Sequence, residues 1–355
     1  MTVFFMALNF VPKIAAFQAM QTPDRKELLS KPTDATPEGF DALALQVFRY
    51  QAETCALYGE YLSLLGRSPE RIARVSEIPF LPISFFKNRQ IQSGVWKPET
   101  YFSSSGTTGQ TPSRHAVRDL DFYLKNTRHG FSQFYGDPSE WCILALLPSY
   151  LERDGSSLVA MADYFIRLSR HPKSGFFLYN FDELRQTLEA CRTTGTKTLL
   201  LGVSHALLDF AERHPMDLSG ITIMETGGMK GRRREITRHE LHETLCNAFR
   251  VPGIHSEYGM TELFSQAYSL PEDAGQVPRF FPASTLRAIA FELYDPFCPA
   301  PPGRTGVLGF ADLANVDTCC FIATEDLGKV YPDGSFEVLG RLDAAELRGC
   351  NLMVV

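Results

Sequence analysis

The segment Tyr101-Phe-Ser-Ser-Ser-Gly-Thr-Thr-Gly-Gln110 concentrates hydroxyls and glycines between an extended apolar approach and a polar helical stretch. Small residues let backbone N–H groups close around a phosphate, and serine and threonine hydroxyls add neutral donors. The run lacks the Gly-Lys-Ser/Thr ending of a Walker A loop, so a P-loop NTPase fits poorly. A second segment, Ser256-Glu-Tyr-Gly-Met-Thr-Glu262, puts an aromatic ring, a glycine and carboxylates within a few positions. Tyr258 can pack on an adenine, and Glu262 can ligate Mg2+, which prefers carboxylate and phosphate oxygens. In Thr324-Glu-Asp-Leu-Gly328, Asp326 can bond both hydroxyls of a ribose; in Gly340-Arg-Leu-Asp343, the planar donors of Arg341 suit ribose or phosphate better than a lysine. Taken singly, these segments also read as a surface loop, a helix start, a solvated turn and a surface ion pair.

The elements that must position these residues alternate. From about Pro37 to Glu77 the pattern is helical, with Phe40, Leu43, Ala44, Val47 and Phe48 at three- and four-residue spacing. The prolines of Ile78-Pro-Phe-Leu-Pro-Ile-Ser-Phe-Phe-Lys87 call for extended backbone. Helices are then expected at about Asp119–Tyr135, Ser157–Leu168, Asp182–Thr193, His205–Arg213 and Arg234–Phe249. Strands are expected at Trp141–Leu147, Thr198–Val203 and Ile221–Glu225. Repeated strand, helix, strand order argues for an α/β fold with a largely parallel sheet. From about Arg279 onward, short strands punctuated by Pro and Gly read as antiparallel β. The expected organisation is a helical opening segment (1–95), an α/β core (96–278), a β-rich subdomain (279–340) and a short tail (341–355).

Composition narrows the function classes. The 355 residues are 44% hydrophobic, as in an ordinary soluble globular protein, and the net charge is only −6. The densest basic run is Arg232-Arg-Arg234, so neither a nucleic-acid grip nor a polybasic membrane patch is indicated. The eight cysteines are scattered without a CxxC pair, which favours thiols in a reducing cytoplasm over a zinc site or disulfide framework. The apolar N-terminus has no cationic region or cleavage signature, and the other apolar runs are too short to span a bilayer. A serine hydrolase is disfavoured because Gly202-Val-Ser-His-Ala206 lacks the second glycine of a nucleophile elbow.

Jointly and in this order, the four segments resemble the motifs of the adenylate-forming superfamily, which includes acyl-CoA synthetases, luciferases and peptide-synthetase adenylation domains. Glu225-Thr-Gly-Gly228 resembles the glycine pair lining the adenine pocket, and Leu201-Gly-Val-Ser-His205 the strand-to-helix segment beside the carboxylate pocket. The resemblance runs from about Ile78 to the last residue. Within the superfamily the chain looks like the LuxE-like acyl-protein synthetases of the bacterial bioluminescence type. Three traits carry this: the Ile78–Lys87 approach, Glu225-Thr-Gly-Gly-Met-Lys-Gly-Arg-Arg-Arg-Glu235, and Arg348-Gly-Cys-Asn-Leu352. The implied fold is the large N-terminal domain of adenylate-forming enzymes, with parallel sheets flanked by helices plus a β-rich C-terminal subdomain. The sequence stops soon after Gly340–Asp343, so the small C-terminal lid domain and its catalytic lysine are not expected.

The resemblance implies ATP and Mg2+ as cofactors and a fatty or other carboxylic acid as substrate. Ser105, Thr107 and Thr108 would hold the β- and γ-phosphates, Tyr258 and Gly228 would frame the adenine, and Glu262 would carry the metal. Ser104, Gly106, Gly109, Gly227, Glu257, Gly259, Thr261, Asp326 and Arg341 complete the nucleotide-binding set. Lys87 and Lys230 are candidates for the cation facing the developing charge. Cys350 matches the family's acyl-carrying cysteine, and an acyl reductase or another acceptor protein is the implied partner. An acyl- or aryl-CoA ligase, or a non-catalytic nucleotide-binding partner subunit, is the alternative reading.

Overall fold

The computed structural model describes residues 25–30, 37–104, 111–148, 155–227, 236–271 and 278–342. A short helix, α1 (Arg25–Ser30), precedes α2 (Pro37–Thr54) and α3 (Ala56–Leu64). On α2 the buried positions Phe40, Leu43, Ala44, Val47, Phe48 and Gln51 form one face, as their spacing requires. The proline-rich approach then divides. Leu81–Pro82 forms β1, but Phe85–Asn88 closes into a helical turn, α4, where extended backbone was expected. Pro82 constrains only itself and Leu81, so the chain is free to turn from Ser84 onward, and this turn sets the position of Lys87. Next come β2 (Thr100–Ser103) and β3 (Arg114–Val117), an antiparallel hairpin, and α5 (Leu120–Tyr135), capped by Asp119 accepting from Phe122 N.

The central part is β4 (Cys142–Leu146), α6 (Ser157–Ser169), β5 (Gly175–Phe177), α7 (Phe181–Thr193), β6 (Thr198–Val203), α8 (Ser204–Arg213), β7 (Thr222–Thr226), α9 (Arg238–Phe249), β8 (His255–Tyr258) and β9 (Ala267–Ser269). Helix α9, expected from about Arg234, begins at Arg238 because Thr237 and Glu240 form a reciprocal capping box there. Strands β5, β4, β6, β7 and β8 lie side by side in parallel, with β9 and then β10 (Phe281–Pro282) antiparallel at the edge. Every residue of β4 and β6 is buried, so both strands read as continuous apolar runs rather than alternating ones.

The second sheet contains β11 (Leu286–Phe291), β12 (Thr305–Asp312), β13 (Phe321–Val330) and β14 (Phe336–Arg341), all antiparallel to their neighbours. Strand β1 joins it in parallel, pairing Leu81 with Ile322 and Pro82 with Ala323. The opening helices share one core with this sheet, and Phe48 and Phe80 both meet Phe321 edge-on. Buried Gln51 fixes the junction: its amide donates to the Asn315 and Val316 carbonyls and its oxygen accepts from Cys320 N. A separate core surrounds the parallel sheet. Among the described residues, no helix is long and apolar enough to cross a membrane.

Candidate active site

Strand β8 ends at Tyr258, whose hydroxyl donates to Asp326 Oδ2 on β13 at 2.7 Å. The other oxygen of Asp326 faces Arg341 Nε, at 3.3 Å, at the end of β14. Three segments picked out by sequence thus meet side chain to side chain. The Tyr258 ring lies against Phe280, Phe310 and Phe336. Burial, and then the negative charge of Asp326, push its phenol well above the usual range, so it remains a neutral donor. Two bonds leave Asp326 spare acceptor capacity, because an ionised carboxylate has about four lone-pair sites.

The turn after Tyr258 carries Glu262, buried at 5% exposure. Burial raises its carboxyl above the ordinary range, against the opposing pull of a Ser113 hydrogen bond and the positive charges of Arg341 and Lys87. The turn itself is clamped from three sides. His115 Nδ1 lies 2.8 Å from the Thr261 carbonyl, and Asn315 Nδ2 donates to the Glu262 carbonyl at 2.9 Å. Asp312, fully buried, accepts from Phe264 N, Ser265 N, Ser265 Oγ and Ala314 N. A carbonyl only accepts, so His115 carries its proton on Nδ1, leaving Nε2 to accept from Thr318 Oγ1 at 2.9 Å. Burial depresses the imidazole to about 4, which keeps it neutral near pH 7.

No protein-family model matches the chain. The fold is similar to that of 2-hydroxyisobutyryl-CoA ligase in complex with 2-HIB-AMP and CoA, at a TM-score of 0.60 and 13% identity, covering 95% of this chain and 73% of that one. ATP-bound MatB from Rhodopseudomonas palustris superposes with a TM-score of 0.51 and 17% identity, covering 68% of this chain and 47% of MatB. This is the adenylate-forming fold. In sequence, the chain is 25% identical over 140 residues to the long-chain-fatty-acid–luciferin-component ligase of Vibrio harveyi, a match covering 37% of this chain and 35% of that protein. The chain is therefore LuxE-like at low identity, and the match spans about a third of its relative's length.

On the adenylate-forming fold, the remaining candidates fall as follows. Ser104 closes the β2–β3 hairpin, its amide donating to Ser113 O and its hydroxyl accepting from Ser113 N. Ser105, Gly106, Thr107, Thr108, Gly109, Gly228, Lys230 and Cys350 lie outside the described residues. Gly227, just after β7, has φ 71°, a conformation that glycine adopts without strain. Ser204 Oγ sits 3.1 Å from Glu225 Oε2 and 3.2 Å from the Gly227 carbonyl, tying α8 to this turn. Burial opposes ionisation of Glu225, yet Arg238 at 2.9 Å, with His242 and Ser256, brings its carboxyl down to about 2. Gly259 leaves room for its neighbour, since a Cβ there would come within 2.5 Å of Glu257 Oε1. Among the described residues no three His, Cys, Asp or Glu side chains gather as a metal site. Mg2+ commonly takes one or two carboxylates and completes its shell with phosphate and water, a pattern for which a single carboxylate such as that of Glu262 suffices.

Glu257 faces away from Tyr258, because successive strand residues alternate. Its carboxyl accepts a short hydrogen bond from Thr226 and stands beside Tyr268 on β9. Burial, with a contribution from Glu225, raises it from 4.5 to about 7. The folded chain therefore holds this proton more tightly than the unfolded chain. The associated stability is fully present below about pH 4.5 and is lost as pH rises through about 7, a decline of about 3 kcal/mol. Glu257→Gln should flatten that decline in urea unfolding curves taken at about pH 5 and about pH 8. An undiminished decline in the variant would assign the effect to another group.

Ser113, His115, Arg238, Asp312 and Asn315 were not singled out by sequence. Ser113 and His115 follow the hydroxyl-rich loop in the returning hairpin strand, so antiparallel pairing was a usable signal for them. Arg238, Asp312 and Asn315 belong to no motif, and no local pattern marked them.

Proposed function

We propose that the chain activates a carboxylic acid with ATP, forming an acyl-adenylate, and that the acyl group then passes to a thiol. The supporting observation is the convergence of Tyr258, Asp326, Arg341, Glu262 and Lys87 on a fold whose solved examples include ATP-bound MatB. Asp326 would add ribose hydroxyls to its present partners, with Arg341 across the same group. Lys87 would face the phosphates, and Mg2+ held at Glu262 would offset their charge. The acid needs no protein base, since it is ionised near pH 7 and catalysis is positioning and charge neutralisation. Its oxygen bonds to the α-phosphorus as the bond from that phosphorus to the pyrophosphate oxygen breaks.

In the second half, the Cys350 thiolate attacks the acyl carbonyl, the bond to phosphate breaks, and AMP leaves with the electron pair. A fatty acid is the proposed substrate and an acyl reductase the proposed recipient. Burial is the main force raising the thiols of Cys55, Cys246, Cys319 and Cys320, and it raises that of Cys142 to about 12, which makes all five poor nucleophiles. Cys298 is the one exposed thiol among the described residues, and so the natural control.

The test incubates the protein with ATP, Mg2+ and labelled tetradecanoic acid. Acid-dependent pyrophosphate exchange is expected, with label bound to the protein, lost in Cys350→Ser and kept in Cys298→Ser. Exchange without bound label, but with soluble acyl-CoA when CoA is supplied, would replace the second half with a CoA ligase reaction. The solved 2-hydroxyisobutyryl-CoA ligase, which holds CoA, makes that the rival to test. No exchange with any acid would remove the adenylating reading.

A further inference from the structure

A solvent-open groove of about 240 Å³ runs along the turn after β1, lined by Lys87, Asn88, Arg89, Gln90, Tyr101 and Arg114 among others. It brings together three cations from two separate segments. Arg114 is oriented by its own hairpin, its guanidinium carbon 4.3 Å from the Tyr101 ring centroid. Among the described residues, neither Lys87, Arg89 nor Arg114 forms an ion pair, whereas Arg118, just after the same hairpin, pairs with Asp317. Among the described residues, the groove's lining is cationic and neutral and contributes no carboxylate of its own. Of the three cations, Lys87 also acts on Glu262, its positive charge opposing the effect of burial on that carboxyl.

Size and chemistry narrow the ligand. The volume lies below the roughly 300–1,000 Å³ of sites that enclose drug-sized molecules. Two guanidinium forks and an ammonium match the oxygens of a phosphate, and the amides of Asn88 and Gln90 add neutral donors. We propose that this groove binds a diphosphate group, and that its occupant is the pyrophosphate released during adenylation. The inference rests on the adenylating reading above. When the bond between the α-phosphorus and its bridging oxygen breaks, pyrophosphate departs with the electron pair and its full charge. A groove lined by Lys87, Arg89 and Arg114, with Lys87 in electrostatic reach of Glu262, would receive that charge and draw the product outward. A thiol acceptor carrying a nucleotide diphosphate presents the same chemistry, so the experiment includes it.

Calorimetric titration of the full chain with inorganic pyrophosphate, and separately with coenzyme A, reads the site directly. In Arg89→Ala/Arg114→Ala, pyrophosphate binding should weaken by roughly tenfold or more. A control pair on α7, Arg185→Ala/Arg192→Ala, removes the same net charge elsewhere and should change it less than about twofold. Weakening of pyrophosphate alone supports the released product as occupant, and weakening of both ligands supports the diphosphate site with the acceptor as a second occupant. Unchanged pyrophosphate affinity in the groove variant, or an equal loss in the control, overturns the proposal. Failure of the adenylating reading appears separately, as absent acid-dependent exchange in the unmodified chain.

Discussion

Glu262→Gln should lower acid-dependent ATP–pyrophosphate exchange by about 10²–10³-fold, the scale expected when one preorganised electrostatic contact to a phosphoryl-transfer centre is removed. Glu262 is a buried carboxylate on which the positive charges of Arg341 and Lys87 act, and the turn that carries it is held by His115, Asn315 and Asp312. Glutamine keeps the shape and the Ser113 contact but cannot supply the charge that a metal–phosphate complex requires. Folding stability should hold or rise slightly, because the buried charge is removed with its volume preserved. Exchange kinetics and thermal melting on the same preparation read both quantities. Exchange within about threefold of the unmodified chain would take Glu262 out of the mechanism.

Asp312→Ala should cost about 3–5 kcal/mol of stability, measured as the shift in urea unfolding free energy. Asp312 accepts from three backbone amides and the Ser265 hydroxyl in a fully buried setting, so alanine leaves several donors unpaired at once. Ser265→Ala removes one of these partners and should cost only about 1 kcal/mol. A loss below about 1 kcal/mol for Asp312→Ala would mean that the turn has another anchor. Exchange should fall as well even at temperatures where the variant remains folded, because the clamp on the Glu262 turn is released.

The parallel sheet was legible because β4 and β6 are buried on both faces and leave uninterrupted apolar runs in the sequence. The meeting of Tyr258, Asp326 and Arg341 was legible only as an ordered set of motifs, not as distances. Three things were not legible, each for a physical reason. The turn at Phe85–Asn88 lay within a proline-rich stretch whose restraint stops at Pro82. The clamp residues find their partners 146, 48 and 53 positions away, beyond any local periodicity. Glu257, grouped with Tyr258 by sequence proximity, points to the opposite face of the same strand, where its partner is Thr226.

The union of the opening helices with the last sheet has a consequence for biosynthesis. Gln51 is synthesised 264 residues before the Asn315 carbonyl it binds, and Leu81 long before its strand neighbour Ile322. On the ribosome the apolar faces of α2 and α3 therefore emerge without their counterpart and stay uncovered for most of translation. Contacts of such long sequence separation close slowly and late. Stop codons before β13 should therefore yield aggregates rather than a smaller folded domain, and co-expressed holding chaperones should keep such fragments in solution.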